Sequence, residues 1–180
     1  MANQIVARAE IQAQEYQQLK KEAKKYADAQ EVASRAQEIK EETSRIRKQA
    51  LKEAARRKEE KRVANRQAVA DFAVQFVGNP YVWGGTSLTN GADCSGFVMS
   101  VFANFGYELP RVAAAQYSAS QKRDLSQMEV GDLVFYGSGI SHVALYIGDG
   151  KVVHALNSNK GIVITDYNYD TPVGVGSYME

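Results

Sequence analysis

The spacing of apolar positions changes character once along the chain. Up to about residue 66 they are sparse and recur by threes and fours: Tyr16, Leu19, Ala23 and Tyr26 in one run, then Val32, Ala36, Ile39, Ile46 and Ala50 in another. That period predicts helix with a narrow apolar stripe. The rest of the segment is mostly Ala, Glu, Lys, Arg and Gln, with no Gly or Pro before Gly78, so propensity and pattern agree. The second run is out of phase with the first, which predicts a break, and Asp28-Ala-Gln-Glu31 has the form of a capping box from which a second helix could start. Held straight to Val77, the segment would measure about 115 Å at 1.5 Å per residue. A stripe this thin does not stabilise an isolated helix of that length, so the segment should pair: with a second chain in a coiled coil, with itself in a hairpin, or with a groove of the domain that follows.

From Val69 the stripe widens. Val69, Phe72, Ala73, Phe76 and Val77 form a helical face that must bury, and it stops at Gly78-Asn79-Pro80. After a loop through Tyr81–Gly91, the residues Phe97, Val98, Val101, Phe102 and Phe105 mark a second core helix, ended by Gly106. A short Ala-rich helix is expected over Val112–Ser118. Four strands follow at Leu133–Tyr136, His142–Ile147, Lys151–Leu156 and Ile162–Thr165, with a weaker one at Val173–Tyr178. Helices first and strands second, joined by short glycine turns, imply an antiparallel sheet with helices on one face, an α+β domain. The expected organisation is an α-helical arm over 1–66 and a compact domain over 67–180.

Charge sharpens that division. The formal net charge is only +1, but residues 1–66 carry 17 Lys and Arg against 11 Asp and Glu, whereas residues 67–180 carry 5 against 10. All 14 glycines lie at or after Gly78, and 15 of the 17 aromatics after residue 70. The basic arm has its acids interleaved and contains no nucleic-acid reading motif, so it reads as a solvated helix face and no nucleic-acid partner is expected. No apolar run approaches the roughly 20 residues needed to span a bilayer, and MANQIVARAE lacks the apolar stretch of a secretory signal.

The chain has one cysteine, Cys94, which excludes an intrachain disulfide, a zinc finger and a dithiol redox pair. Cys94 sits at the front edge of the second core helix, where unpaired N–H groups and the helix dipole favour a thiolate. The two histidines, His142 and His154, fall on neighbouring strands, giving one imidazole to pair with the thiol and another to orient the first. Strand alternation adds a condition. A two-residue Asp149-Gly150 turn would pair Leu145 with His154 and put the imidazoles on opposite faces, whereas a three-residue loop would pair Ala144 with His154 and bring them together.

The stretch NPYVWGGTSLTNGADCSGFVMSVFANFGYELPRVAAAQ at 79–116 resembles the NlpC and p-sixty family of papain-like cell-wall cysteine peptidases. The resemblance rests on Pro-Tyr-x-Trp-Gly-Gly at 80–85, Asp-Cys-Ser-Gly-Phe at 93–97 and Leu-Pro-Arg at 109–111 with Gln116 beyond. It continues through Gly-Asp-Leu-Val-Phe at 131–135, Ser-His-Val-Ala-Leu-Tyr-Ile-Gly at 141–148 and the His154 strand, covering about 68–180 and leaving the arm outside. It implies a papain-like α+β core that uses no metal and no cofactor. It makes Cys94 the nucleophile, His142 the base and His154 the orienting residue. The implied reaction is hydrolysis of amide bonds in peptidoglycan stem peptides, between γ-linked D-glutamate and a diamino acid.

Around the nucleophile, the resemblance marks Tyr81, Trp83, Asp93, Ser95 and Arg111 as substrate-binding candidates. Tyr81, Asp93 and Arg111 each have a plainer alternative. Tyr81 is a second oxyanion donor or a loop tyrosine packed on Trp83. Asp93 and Ser95 grip the free amine of a trimmed stem peptide, or Asp93 is simply a helix N-cap. Arg111 takes a substrate carboxylate or pairs with an acid of the protein. Asp132 reads as turn chemistry before a strand. Two rival functions stand beside this one: acyl transfer or deamidation by the same triad, and a non-catalytic scaffold whose function lies in the arm, with the domain a wall-binding module. Stem peptides lie outside the membrane, so an extracellular or wall-associated enzyme is expected, self-associating through its arm.

Overall fold

The computed structural model of the chain describes residues 2–179, with side-chain environments from residue 11 to 179. The first element, α1, is one helix over Ala2–Val74. It passes through Asp28 without interruption, so the expected break is absent. A capping box acts only where the chain before it leaves the helix. With no Gly or Pro nearby, breaking there would orphan backbone groups on both sides for the gain of one side-chain cap.

The chain divides into two compact units, Met1–Arg56 and Arg57–Glu180. In the first, every side chain from 11 to 52 is exposed, including Tyr16, Leu19, Tyr26, Val32, Ile39 and Ile46. Pairs one turn apart lace its surface, such as Glu31–Arg35 at 3.0 Å and Gln37–Glu41 at 2.9 Å.

The second unit takes in the last turns of α1, where Val69 and Ala73 are fully buried. Phe72 meets Phe76 and Phe105 edge-on, with ring centroids 5.0 and 5.7 Å apart. Arg66 is buried with the helix and is held by Asp132 at 2.9 Å, the carbonyls of Val130 and Met179, and the Ser177 hydroxyl. Asp132 also accepts from the Glu129 N–H, so it closes the turn before its strand while neutralising a buried guanidinium.

The remaining elements are a two-stranded ribbon of β1 (Thr86–Ser87) and β2 (Gly91–Ala92), then α2 (Cys94–Ala103) and α3 (Ala113–Ala119). The sheet strands are β3 (Gln121–Arg123), β4 (Leu133–Tyr136), β5 (His142–Gly148), β6 (Lys151–Asn157), β7 (Gly161–Asp166) and β8 (Pro172–Ser177). They form one antiparallel sheet in the order β3-β8-β4-β5-β6-β7. The fold is α+β, and the five expected strands are present to within a residue or two. The edge strand β3 went unexpected because Gln-Lys-Arg has no apolar alternation, and charge suits an edge.

α2 packs across β5 and β6. Phe97, Val98, Val101 and Phe102 fill the main core with Leu133, Phe135, Val143, Leu145 and Val153. Strand alternation turns Val134, Tyr136, Ala144 and Val152 to the other face, where they form a smaller cluster.

The β5–β6 hairpin meets the register condition by an unexpected route. Its turn is the two-residue one: Gly148 pairs with Lys151, and Asp149 and Gly150 both have positive φ (51° and 70°), as a type I′ turn requires. The ladder then shifts by one at Ile147, so that Tyr146 faces Val152 and Leu145 faces Val153. Continued one step, that register sets Ala144 opposite His154. A β-bulge does what the third loop residue was expected to do, and the two histidines share a face.

Candidate active site

Cys94 is the first residue of α2, and Asp93 before it is the N-cap, accepting the Gly96 N–H at 2.8 Å. The loop ahead of the helix is laid directly on its first turn. Asp93 N–H donates to Gly85 O at 3.1 Å, and Gly84 N–H donates to Asp93 Oδ2 at 3.0 Å. Gly84 reaches that position with φ of +72°, and a Cβ on Gly96 would lie 2.1 Å from Gly85 O. Glycine at these two positions is what lets the loop approach the cysteine.

The Cys94 sulfur is buried against the start of β5. It lies 4.0 Å from Ser141 O and receives the Val143 N–H, so the backbone on either side of His142 touches the thiol. Burial pushes the Cys94 thiol up, the nearby Asp93 charge adds to this, and the N–H groups of Val143, Ser95 and Cys94 only partly offset it. The expected lowering by the helix N-terminus is therefore outweighed, and the resting thiol is protonated.

His142 opens β5, and its Nε2 lies 2.7 Å from Nδ1 of His154, which is fully buried on β6. Burial lowers His142 to about 4, against the opposing pull of Asp170. Burial and the neighbouring His142 lower His154 to about 3. Both rings are neutral at pH 7. Tyr169 covers them, its ring 4.9 Å from that of His154 and 5.0 Å from Tyr136. On the far side of His154, Nε2 lies 3.2 Å from the hydroxyl of Thr165 on β7.

The cleft beside the sulfur, about 480 Å³, is lined by Trp83, Asp93, Ser95 and Arg111 among others. Trp83 is 87% exposed, a flat apolar surface open to solvent. Arg111 forms a two-pronged pair with Asp93, Nη1 to Oδ1 at 2.9 Å and Nη2 to Oδ2 at 2.7 Å, and Nη1 also reaches Ser95 Oγ at 3.1 Å. Burial alone would raise the Asp93 carboxyl, but Arg111 and the Gly96 and Gly84 N–H groups overcome it and hold it below the ordinary range. Asp93 is thus both N-cap and ion-pair partner, and Arg111 pairs within the protein. Tyr81 is half-buried, its phenol pushed up by burial and by the nearby Cys94 and Asp93, so its hydroxyl keeps its proton and can donate.

The structure therefore pairs His142 with His154 and sets the Cys94 sulfur against the backbone on either side of His142, with Asp93, Ser95, Arg111 and Trp83 lining the cleft beside it. Two residues of the site were not singled out from sequence. Thr165 lies two positions beyond Val163, the partner of His154, so alternation would have placed it on the histidine face had the β6–β7 register been known. Tyr169 sits in an irregular turn, where no periodicity marks it.

A family model described as the NlpC/P60 family matches residues 78–172. A protein of Listeria innocua named "Probable endopeptidase p60" is 48% identical over 85 residues, covering 46% of this chain and 18% of that protein. A Bacillus subtilis protein named "Gamma-D-glutamyl-L-lysine dipeptidyl-peptidase" is 41% identical over 111 residues, covering 57% and 37%. The chain thus spans well under half the length of these curated relatives. Among solved structures, the NlpC/p60 domain of the peptidoglycan hydrolase SagA superposes with a TM-score of 0.57 at 34% identity, over 61% of this chain and 96% of that domain.

Proposed function

The chain belongs to the NlpC/P60 family, and on that premise we propose that it is a cysteine endopeptidase that hydrolyses amide bonds in peptidoglycan stem peptides, at the bond between γ-linked D-glutamate and a diamino acid. The observation that carries the proposal is the thiol at the first residue of α2, seated against the backbone flanking His142, whose ring is bonded to His154 at 2.7 Å. The names of two relatives support the choice of bond: the dipeptidyl-peptidase above, and a "Bifunctional muramidase/DL-endopeptidase CwlT" of Bacillus subtilis, 38% identical over 105 residues.

The reaction starts from a neutral pair. His142 takes the Cys94 proton as sulfur bonds to the scissile carbonyl carbon, and the oxyanion that forms is held by the Cys94 N–H at the helix N-terminus and by the Tyr81 hydroxyl. The C–N bond then breaks as the imidazolium returns its proton to the leaving amine. Water, deprotonated by His142, adds to the thioester, the C–S bond breaks, and the thiol is restored. A buried, neutral imidazole suits this order, because the ion pair is created only when the substrate oxyanion is there to share in it.

Substrate selection follows from the Asp93–Arg111 pair. A stem peptide beginning with a free L-alanine amine exchanges with Arg111 at Asp93, while the released guanidinium takes the free α-carboxylate of the γ-linked D-glutamate, so charge stays matched throughout. Trp83 packs on the peptide. The arm assembles copies of the chain through the exposed stripe of α1 in a coiled coil, and the enzyme works outside the membrane at the wall. Among the described residues, no helix is long and apolar enough to cross a membrane.

Mass spectrometry of a defined stem tetrapeptide after incubation tests the reading. The expected products are a dipeptide ending in D-glutamate and a fragment starting at the diamino acid. Cys94→Ala should give none above background, and His142→Ala almost none. Turnover by Cys94→Ala near that of the unaltered chain would sink the proposal.

A further inference from the structure

We propose that Thr165 is a positioning residue that sets the direction of protons through the two histidines and so leaves Nδ1 of His142 free to act as the base. The inference rests on the cysteine–histidine reading above and adds to it a residue outside the Cys94, His142 and His154 set.

The geometry is a single row of polar atoms. Thr165 Oγ1 lies 3.2 Å from the carbonyl oxygen of Asp166 and 3.2 Å from His154 Nε2. His154 Nδ1 lies 2.7 Å from His142 Nε2. A hydroxyl has one proton to donate, and a neutral imidazole has one N–H and one bare nitrogen, so the hydroxyl's orientation determines every link. With its proton on Asp166 O, Thr165 can only accept at the histidine, which places a proton on His154 Nε2. His154 Nδ1 is then bare and accepts from His142 Nε2–H. His142 is left with its proton committed to the pair and Nδ1 unprotonated.

Turned the other way, the same hydroxyl would donate to His154 Nε2, His154 would donate from Nδ1, and His142 would accept at Nε2. Its own proton would then sit on Nδ1, and the ring could not take one from the thiol. An acceptor that holds the hydroxyl proton away from the histidine is therefore what the chemistry needs, and the Asp166 carbonyl is that acceptor. The same carbonyl also receives the Tyr169 N–H at 3.1 Å, which closes the turn that lays the Tyr169 ring on His154. The burial that keeps both rings neutral makes the count of one proton per ring hold at pH 7.

The test is nitrogen NMR of the full chain with labelled histidine at pH 7, read beside kinetics on the stem tetrapeptide. In the unaltered protein both rings should be protonated at Nε2 and bare at Nδ1. Thr165→Val keeps the shape and removes the oxygen. A signal for His142 protonated at Nδ1 should then appear, and kcat should fall about 10- to 100-fold with KM little changed, as for other residues that orient a catalytic ligand. Thr165→Ser should restore both the tautomer and the rate. An Nδ1–H form of His142 in the unaltered protein overturns the proposal, and so does a Thr165→Val protein whose tautomers are unchanged, whatever its rate. The tautomer signal needs no turnover. A failure of the cysteine reading, seen as undiminished turnover by Cys94→Ala, is therefore distinguishable from a failure of this one.

Discussion

At the scale of single residues, Cys94 and the two histidines are ionisable groups kept uncharged at rest, beside the charged pair of Asp93 and Arg111. Cys94 is raised by burial, and the histidines are lowered to about 4 and about 3. An imidazole acting as base from this state is lost only when it is protonated, so the acid limb of kcat/KM against pH should have its midpoint near 4. A limb near the 6.5 of an ordinary histidine would show that the resting rings are charged or solvated. Stability should carry the same signature. The unfolded chain binds more protons than the folded one between about pH 3 and 6.5, so the contribution of the neutral rings is fully present above 6.5 and is lost as pH falls toward 4. Glu129, lowered to about 2 by Arg62 and other arginines against its own burial, extends the loss further into acid. Denaturant titrations at pH 7 and pH 4 measure it, and replacing both histidines by Asn should flatten the upper part of the slope.

Elements position these residues through close backbone approaches rather than through side-chain bulk. The first turn of α2 sits under the 81–85 loop so tightly that Gly96→Ala would press a methyl group onto Gly85 O. Since the clash is with backbone, the loop must lift, taking the Gly84 N–H from Asp93. Thermal melts should show a loss of about 1–3 kcal/mol, the range for overpacked interiors. Turnover should fall more than stability alone explains, because Tyr81 and Trp83 move with the loop; a variant with unchanged melting and kinetics would show that the loop is not held as described. The β5–β6 hairpin teaches a related lesson. Its glycine turn was legible, and so was the need for Ala144 opposite His154. Sequence could not say that a bulge at Ile147 would supply the register, because a bulge depends on which twist lets Ile147 reach the main core while Tyr146 packs with the smaller cluster on the other face.

For the molecule as a whole, the end of α1 belongs to the folding of the second unit. Arg62 bonds Glu129 at 2.8 Å, and Arg66 joins Asp132, Ser177 and the Met179 carbonyl. A chain beginning at Arg57 should therefore melt with the full chain's second unit and turn over a small stem peptide at the same rate, whereas one beginning after Arg66 should lose stability by about 3–5 kcal/mol, because the buried Asp132 would lose its partner at 2.9 Å and keep only the more distant Arg123 at 3.6 Å. Light scattering on the same pair of proteins tests the arm. Loss of residues 1–56 should reduce the particle to a monomer if the exposed stripe of α1 is an assembly surface, and an unchanged number of copies would end that proposal.

Much of this was readable from the chain alone, for reasons that are local. Helix over residues 2–74 follows from helix formers without Gly or Pro, and the core helix from Cys94 and the strands from Leu133 onward follow from the period of their apolar residues. The candidacy of Cys94 follows from its being the one thiol, at a helix start. What the chain alone could not determine depends on distance in space. Asp28 satisfies the local rule for a cap and is nevertheless crossed by the helix, because the cost of a break is set by both flanks together. Asp132 looked like a turn residue until Arg66, 66 positions earlier, was seen folded onto it. Asp93 and Arg111 each carried two readings, and only the fold showed that they bind each other. The thiol's acidity was read from the helix end, a short-range effect that burial under the sheet reverses, and burial is decided only when the whole chain has closed around the sulfur.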